Sequence, residues 1–274
     1  MTAIPHTARL RDGHTIPRVG LGVYQTPRGD ATRLAVKSAL ELGYRHIDTA
    51  KIYGNEADVG AAVRDSGLPR SEVFVTTKLF NRDQGYDRAR KAFDASLTNL
   101  GLAYVDLYLI HWPVQNLRLE SWRALEAIHA DGRARSIGVS NFLVPHLEEL
   151  LGSCRTPPAV DQIELSPFLQ RRDTTALCAA NGIVVEAYSP LTRGQKLDHP
   201  VLVEVAREVG RTVPQVLLRW GLQHDAVVLP KSVRPERQRE NLDLFGFELT
   251  PSQLATLDAL ETGQATGWDP SNQA

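Results

Sequence analysis

The sequence predicts an α/β protein folded as a single closed (β/α)8 TIM barrel, preceded by an N-terminal β-hairpin and carrying two extra helices. Three observations lead there. Short Val/Ile/Leu-rich strands alternate with amphipathic helices along the whole chain, the pattern of a parallel sheet covered on its outer face. Eight such strands can be counted, the number that closes a barrel. No linker, repeat or low-complexity tract divides the 274 residues, so 1–274 reads as one domain with a loose polar tail from about Thr262. An open doubly wound sheet is the structural alternative.

Taken in order, Arg11-Asp12-Gly13-His14 between short apolar pieces predicts the hairpin over 9–17. Val19-Gly20-Leu21-Gly22-Val23-Tyr24 reads as the first buried strand. Its Gly-x-Gly lacks the third glycine of a dinucleotide fingerprint, so a Rossmann motif is rejected. The helix over 30–42 has Leu34, Ala35, Ala39 and Leu42 on one face. A strand over 44–47 ends at Asp48, and the next helix, 55–66, is stopped by Gly67 and Pro69. Strand 73–77 runs into Lys78, and helix 87–100 closes at Gly101. Strand 105–110 leads to His111-Trp112-Pro113, and helix 119–130 stops at Gly132. Strand 134–139 runs into Ser140-Asn141 and is followed by a short helix over 145–151. Strand 159–162, helix 174–180 and strand 183–187, tipped by Tyr188-Ser189-Pro190, come next. Helices over 200–209 and 214–222 precede the last strand, 226–229, which runs into Pro230-Lys231-Ser232. Pro235 opens one helix and 251–260 forms another.

Composition narrows the function classes. Hydrophobic content of 42% and charged content of 23% are those of an ordinary globular protein. Lys+Arg 31 against Asp+Glu 32 gives a formal charge of −1, which offers nothing to attract nucleic acid or an anionic membrane. Cys154 and Cys178 have neither metal-ligand nor redox spacing, no pair of His residues suits a metal, and a disulfide framework is not indicated. The start lacks the layout of a signal peptide, and no apolar run approaches the roughly 18 residues of a membrane span. A cytoplasmic protein is expected.

The informative pattern is positional. Asp48, Lys78, His111, Asn141, Gln162, Tyr188 and Lys231 each fall at or just past the end of a different strand. In a parallel barrel those ends share the rim where chemistry is done. An ammonium from Lys78 beside Asp48, with Tyr53 against it, would favour phenolate and lower the tyrosine pKa toward neutral. His111 can donate to an oxygen held near Tyr53. These four polarise a carbonyl but supply neither nucleophile nor electrons. The segment after the last strand, with Lys231, Ser232 and Arg237 at a helix N-terminus, suits a phosphate. Tyr188 offers a flat face for an aromatic ring, and Asn141 and Gln162 can hold a carboxamide. That describes a nicotinamide dinucleotide laid across the rim.

The motifs Gly20-Leu21-Gly22, Asp48-Thr49-Ala50-Lys51-Ile52-Tyr53-Gly54-Asn55-Glu56, Thr77-Lys78-Leu79, Asp106 to Pro113, Gly138-Val139-Ser140-Asn141-Phe142, Tyr188-Ser189-Pro190-Leu191 and Pro230-Lys231-Ser232 span almost the whole chain. In that order they resemble the aldo-keto reductase family, and within it the prokaryotic branch that includes 2,5-diketo-D-gluconate reductases. The resemblance implies NADPH-dependent reduction of aldehydes or ketones (sugar ketones, α-dicarbonyls, aromatic aldehydes) by a monomer. It places the catalytic roles on Asp48, Tyr53, Lys78 and His111, with Tyr53 as the acid. It sets Ser140, Asn141 and Gln162 on the carboxamide and Tyr188 under the nicotinamide. Gly22, Val23, Ser189, Leu191, Lys231, Ser232, Val233, Arg237, Glu240 and Asn241 take the rest of the cofactor. Tyr24, Trp112 and Trp268 would wall the substrate pocket. Tyr24 stands where many members carry tryptophan, and the short tail suggests a permissive site. Two other readings are a Schiff-base enzyme built on Lys78 and a non-catalytic NADPH-binding module.

Overall fold

The computed structural model describes residues 4–272. Eight strands, β3 (Leu21–Gly22), β4 (His46–Asp48), β5 (Phe74–Leu79), β6 (Val105–Ile110), β7 (Ala134–Ser140), β8 (Val160–Glu164), β9 (Val184–Tyr188) and β10 (Val227–Leu229), pair in chain order, all parallel. The ring is closed between its ends: Gly20 N–H donates to Val228 O (2.9 Å), Val228 N–H to Arg18 O (2.8 Å) and Gly22 N–H to Pro230 O (3.0 Å). Closure leaves no unpaired edge and removes the open-sheet alternative.

The regular ladder of the first strand is shorter than 19–24. Its hydrogen bonds end with Val23 N–H on Asp48 O (3.1 Å), and at Gln25 the chain turns with φ 56°. The glycine that looked like half a nucleotide motif has a packing role. A Cβ on Gly20 would lie 2.6 Å from Leu229 Cδ2 and 2.7 Å from His46 Nδ1, so only glycine fits there.

Outside the ring lie α1 (Asp30–Leu42), α2 (Glu56–Asp65), α3 (Tyr86–Leu100), α4 (Arg118–Ala130), α5 (Val144–Leu151), α6 (Arg172–Ala180), α7 (Pro200–Val209), α8 (Val213–Gln223), α9 (Pro235–Leu242) and α10 (Pro251–Asp258). Two helices, α7 and α8, separate β9 from β10, and α10 follows α9. These account for the two extra helices. Both α8 and α10 open with proline and a reciprocal Thr/Gln box: Thr212 with Gln215, Thr250 with Gln253.

The hairpin is β1 (Thr7–Arg9) with β2 (Thr15–Pro17), beginning two residues before the expected start. Ile16 and Leu10 are buried in one apolar cluster with Phe74, Leu107, Leu109, Val160 and Val227. The hairpin therefore stops the N-terminal end of the barrel.

The tail corrects an expectation, because it is fastened. Thr262 donates through N–H and Oγ1 to Phe168 O (3.0 Å each), and Thr266 donates through N–H (2.7 Å) and Oγ1 (2.5 Å) to Glu164 Oε1. Arg171 Nη2 reaches Asp269 Oδ1 at 2.9 Å. A polar composition suggests looseness only until its partners are known. Here they lie about ninety to a hundred residues upstream.

Candidate active site

Side chains on a strand alternate between two faces, so β4 sends His46 and Asp48 into the barrel and Ile47 out to the helices. On β5 the same alternation brings in Thr76 and Lys78. Lys78 is fully buried, and its Nζ donates to Asp48 Oδ1 and Oδ2 (2.7 Å each) and to Thr49 O (2.9 Å). The three N–H donors of an ammonium are thereby all engaged. Tyr53 comes from the 3-10 turn Lys51–Tyr53, which ends in left-handed Gly54. Its ring centroid lies 5.2 Å from Lys78 Nζ, 5.8 Å from the His111 ring and 5.0 Å from the Tyr24 ring. The four residues expected to act together do meet at one rim.

The electrostatics differ from the expectation at Tyr53. Its phenol is held well above the ordinary value of 10, first by burial and then by the negative charge of Asp48, with Tyr24 and Glu186 adding to it. The lowering expected from Lys78 is not found, because the ammonium is neutralised by Asp48 and has no N–H left for the phenol. His111 is held well below its ordinary 6.5 by burial and then by Lys78, so it is a neutral imidazole near pH 7. Its Nδ1 is buried without a hydrogen-bond partner.

Behind these four lies a second layer, in which Gln162, expected at the carboxamide, meets two residues the expected site did not include, Glu186 and His46. Gln162 Nε2 donates to Asp48 Oδ2 (2.9 Å) and to Glu186 Oε2 (2.5 Å). Glu186 Oε1 stands 3.4 Å from His46 Nε2, both side chains fully buried. Burial, then the neighbouring Asp48, raises the Glu186 carboxyl to about 8, and burial lowers His46 to about 3. Strand alternation could have found both: Glu186 lies two residues before Tyr188, and His46 two before Asp48.

The residues expected around a carboxamide are joined to one another. Tyr188 OH donates to Asn141 Oδ1 (2.8 Å), and Asn141 Nδ2 to His111 O (2.9 Å) and Ser140 Oγ (3.1 Å). Ser140 Oγ donates to Gln162 O (2.8 Å). Asn141 and Ser189 sit at φ 65° and 49°, left-handed positions that turn the chain just past β7 and β9. Gly22 and Val23 are bonded between Pro230 and Asp48, at the seam of the barrel. Leu191 is half-buried beyond Ser189.

At α9, Ser232 Oγ accepts from Arg234 N–H (3.1 Å), Asn241 is buried, and Val233, Lys231 and Arg237 are exposed. Among the described residues neither Lys231 nor Arg237 is in an ion pair. Glu240 Oε1 accepts from Thr212 Oγ1 (2.6 Å) and lines a cleft of about 510 Å³ between α7, α8 and α9. That cleft contains none of the four rim residues.

At the mouth, Trp112 and Trp268 face each other with ring centroids 6.0 Å apart. Trp268 is 79% exposed and Tyr24 47%, so the aromatic walls are open to solvent. Among the described residues no three His, Cys, Asp or Glu side chains are placed to hold a metal.

Comparison with known proteins identifies the family. Residues 18–262 match the aldo/keto reductase family. An aldo-keto reductase of Mycobacterium sp. (strain KMS) is 50% identical over 263 residues, 95% of each chain. The glyoxal reductase of Bacillus subtilis (strain 168) is 45% identical over 269 residues, 98% of each. A crystal structure of a Gox0644 mutant in complex with NADPH is 41% identical, with TM-score 0.92 over 97% of each chain. The chain belongs to the aldo/keto reductase family and is an oxidoreductase.

Proposed function

We propose that this family member is an NADPH-dependent reductase of aldehydes and ketones, with Tyr53 as the acid and Asp48, Lys78 and His111 completing the catalytic set. One observation carries the reading: a neutral imidazole, a protonated phenol and a buried, fully engaged ammonium converge on one point of the rim.

The residues present fit the cofactor. Lys231, just before α9, and Arg237, in its first turn, are cations without an ion-pair partner among the described residues and suit the 2′-phosphate together with Ser232, and Glu240 and Asn241 suit the adenosine end. Gly22, Val23, Ser189, Leu191 and Val233 line the path between. Ser140, Asn141 and Gln162 suit the carboxamide, and Tyr188 offers its ring to the nicotinamide. Bound there, NADPH supplies a hydride from nicotinamide C4 to the carbonyl carbon.

The chain does the rest. Neutral His111 donates a ring N–H to the carbonyl oxygen and polarises it. As negative charge grows on that oxygen, Tyr53 transfers its phenolic proton to it, giving the alcohol. A phenol held high stays protonated through neutral pH and so keeps its proton until the oxygen beside it gains charge. Lys78 is cast as a charged partner of Asp48, since a Schiff base needs a free amine lone pair and its Nζ makes three hydrogen bonds.

The open aromatic mouth of Tyr24, Trp112 and Trp268 suits small aldehydes, α-dicarbonyls and sugar ketones, and the likeness to a glyoxal reductase favours the dicarbonyls. We read the chain as a cytoplasmic monomer acting as one domain. Among the described residues no helix is long and apolar enough to cross a membrane. NADPH oxidation, followed by absorbance with a carbonyl panel, tests the activity. Tyr53→Phe should cost at least the roughly 10²–10⁴-fold typical of general acid catalysis. Retained turnover, or a borohydride-trapped adduct on Lys78, defeats the reading, and NADPH binding without turnover on any carbonyl means a binding module.

A further inference from the structure

Below the four rim residues, three acidic or amide side chains share one nitrogen. Gln162 Nε2 has two protons, and both are committed, one to Asp48 Oδ2 and one to Glu186 Oε2. Asp48 has Lys78 as its cation, and Glu186 has none of its own. The groups facing Glu186 are His46 and Asp48 from β4, Lys78 from β5, Gln162 from β8 and Tyr53 from the turn after β4. Val227, its neighbour on β10, is apolar. A chain of one cation and two carboxyls in a dry interior is electrically balanced only if one carboxyl carries a proton.

The tautomer of His46 shows where that proton sits. His46 Nδ1 lies 3.4 Å from Pro17 O, an acceptor, so Nδ1 bears the hydrogen and Nε2 is left with its lone pair. That lone pair faces Thr76 Oγ1 at 3.2 Å and Glu186 Oε1 at 3.4 Å. Oε1 is buried with no hydrogen-bond partner, its nearest basic atom is His46 Nε2, and Oε2 already accepts from Gln162, so Oε1 is the oxygen placed to hold the proton.

We propose that Glu186 is a positioning residue of the active site. Protonated, it draws one Gln162 N–H inward, so that the amide of Gln162 turns its carbonyl oxygen, not its NH2, toward the cofactor, and it keeps a second negative charge away from Asp48 and Tyr53. Without the two carboxyls the amide could face either way, and a carboxamide NH2 needs an acceptor. The proposal rests on the placement of the cofactor given above. Its physical consequence is a link between pH and the site. When Glu186 loses its proton, at about 8, the added charge raises the Tyr53 phenol further and weakens it as an acid.

The test uses the whole protein without and with NADPH. The infrared carbonyl band of a buried carboxylic acid is recorded as wild type minus Glu186→Gln, which cancels the contribution of Asp161, also buried and held high. The band should be present at pH 7 and fade as pH rises through about 8. NADPH binding is then titrated by fluorescence at pH 7. Glu186→Leu should weaken it about tenfold, while Glu186→Gln, which still offers Gln162 an acceptor, should lose less. In the pH profile of kcat, wild type should show an alkaline fall that Glu186→Gln lacks.

No difference band at pH 7 overturns the proposal, and so does NADPH binding to Glu186→Leu as tight as wild type. If Glu186→Leu does not fold, the band and the kcat profile of Glu186→Gln decide. The band is read without cofactor or turnover, so failure of the reductase assignment is distinguishable from failure here.

Discussion

The two halves of the barrel interior are built from the same strands with opposite materials. Low on β8 and β9, Val160 pairs with Val184, and two residues further along each strand Gln162 pairs with Glu186. Low on β6, Leu107 stands beside Thr76, and one step up Leu109 stands beside Lys78. Below, the hairpin residues Leu10 and Ile16 seal an apolar cluster. Above, His46, Asp48, Lys78, Gln162 and Glu186 fill the same cross-section with buried polar groups. The lower half is held by packing, whose cost on damage is graded. The upper half is held by charges and hydrogen bonds, each of which becomes a liability if its partner is removed.

The contrast is broken most severely at Lys78. Lys78→Met keeps the volume but leaves Asp48 buried with no cation. Stability should fall by about 3–5 kcal/mol in a denaturant titration, and reductase activity should be abolished. A variant as stable as wild type would mean that the upper half is packed more than it is charged.

The lower half should answer differently. Leu107→Ala, in a side chain with no exposed surface, should cost about 2–5 kcal/mol by leaving a cavity. The turnover of the protein that remains folded should be unchanged, because the cavity opens on the side away from the rim. Loss of turnover without loss of stability would merge the two halves that the strand alternation separates.

How much of this the sequence carries follows from the same division. The barrel is legible because short apolar strands and glycine-stopped amphipathic helices are local patterns, and the polar strand tips are legible as deviations from them. Asp48, Tyr53, Lys78 and His111 stand out one by one in the sequence, and the closed ring brings them together. What could not be read is whatever depends on a partner far along the chain. That Lys78 has no N–H left for Tyr53 depends on Thr49 O. That the Gln162 amide leans on Glu186, a residue strand alternation alone turns inward, depends on a contact across 24 residues. That the tail is tied depends on Glu164, 102 residues before Thr266. A local pattern gives the face of a strand, and only the closed ring says which faces meet.

Exposed charge provides a smaller and sharper contrast with buried charge. Lys231 and Arg237 lie in water, so each is expected to matter only when a phosphate arrives. Arg237→Ala should leave thermal stability unchanged and weaken NADPH by roughly ten- to a hundredfold, the range for a lost hydrogen bond to a charged group, with NADH scarcely affected. Equal loss for both cofactors, measured by fluorescence titration, would remove Arg237 from the 2′-phosphate.

The smallest expected effect tests whether the fastened tail belongs to the upper half. Thr266 gives Glu164 two hydrogen bonds from one residue, the backbone N–H and the hydroxyl, both to Oε1. Thr266→Val removes the hydroxyl and keeps the shape and the backbone bond, so the carboxylate is not orphaned. The cost should be about 1 kcal/mol, nearer the neutral value than the charged one because the remaining N–H still satisfies Oε1. Trp268 is carried two residues beyond this latch and faces Trp112, so slack in the latch reaches the mouth and not the nicotinamide end. KM for a bulky aromatic aldehyde should therefore change while NADPH affinity stays fixed. A change in NADPH affinity with KM unmoved would place the tail's grip on the cofactor instead of on the substrate's entrance.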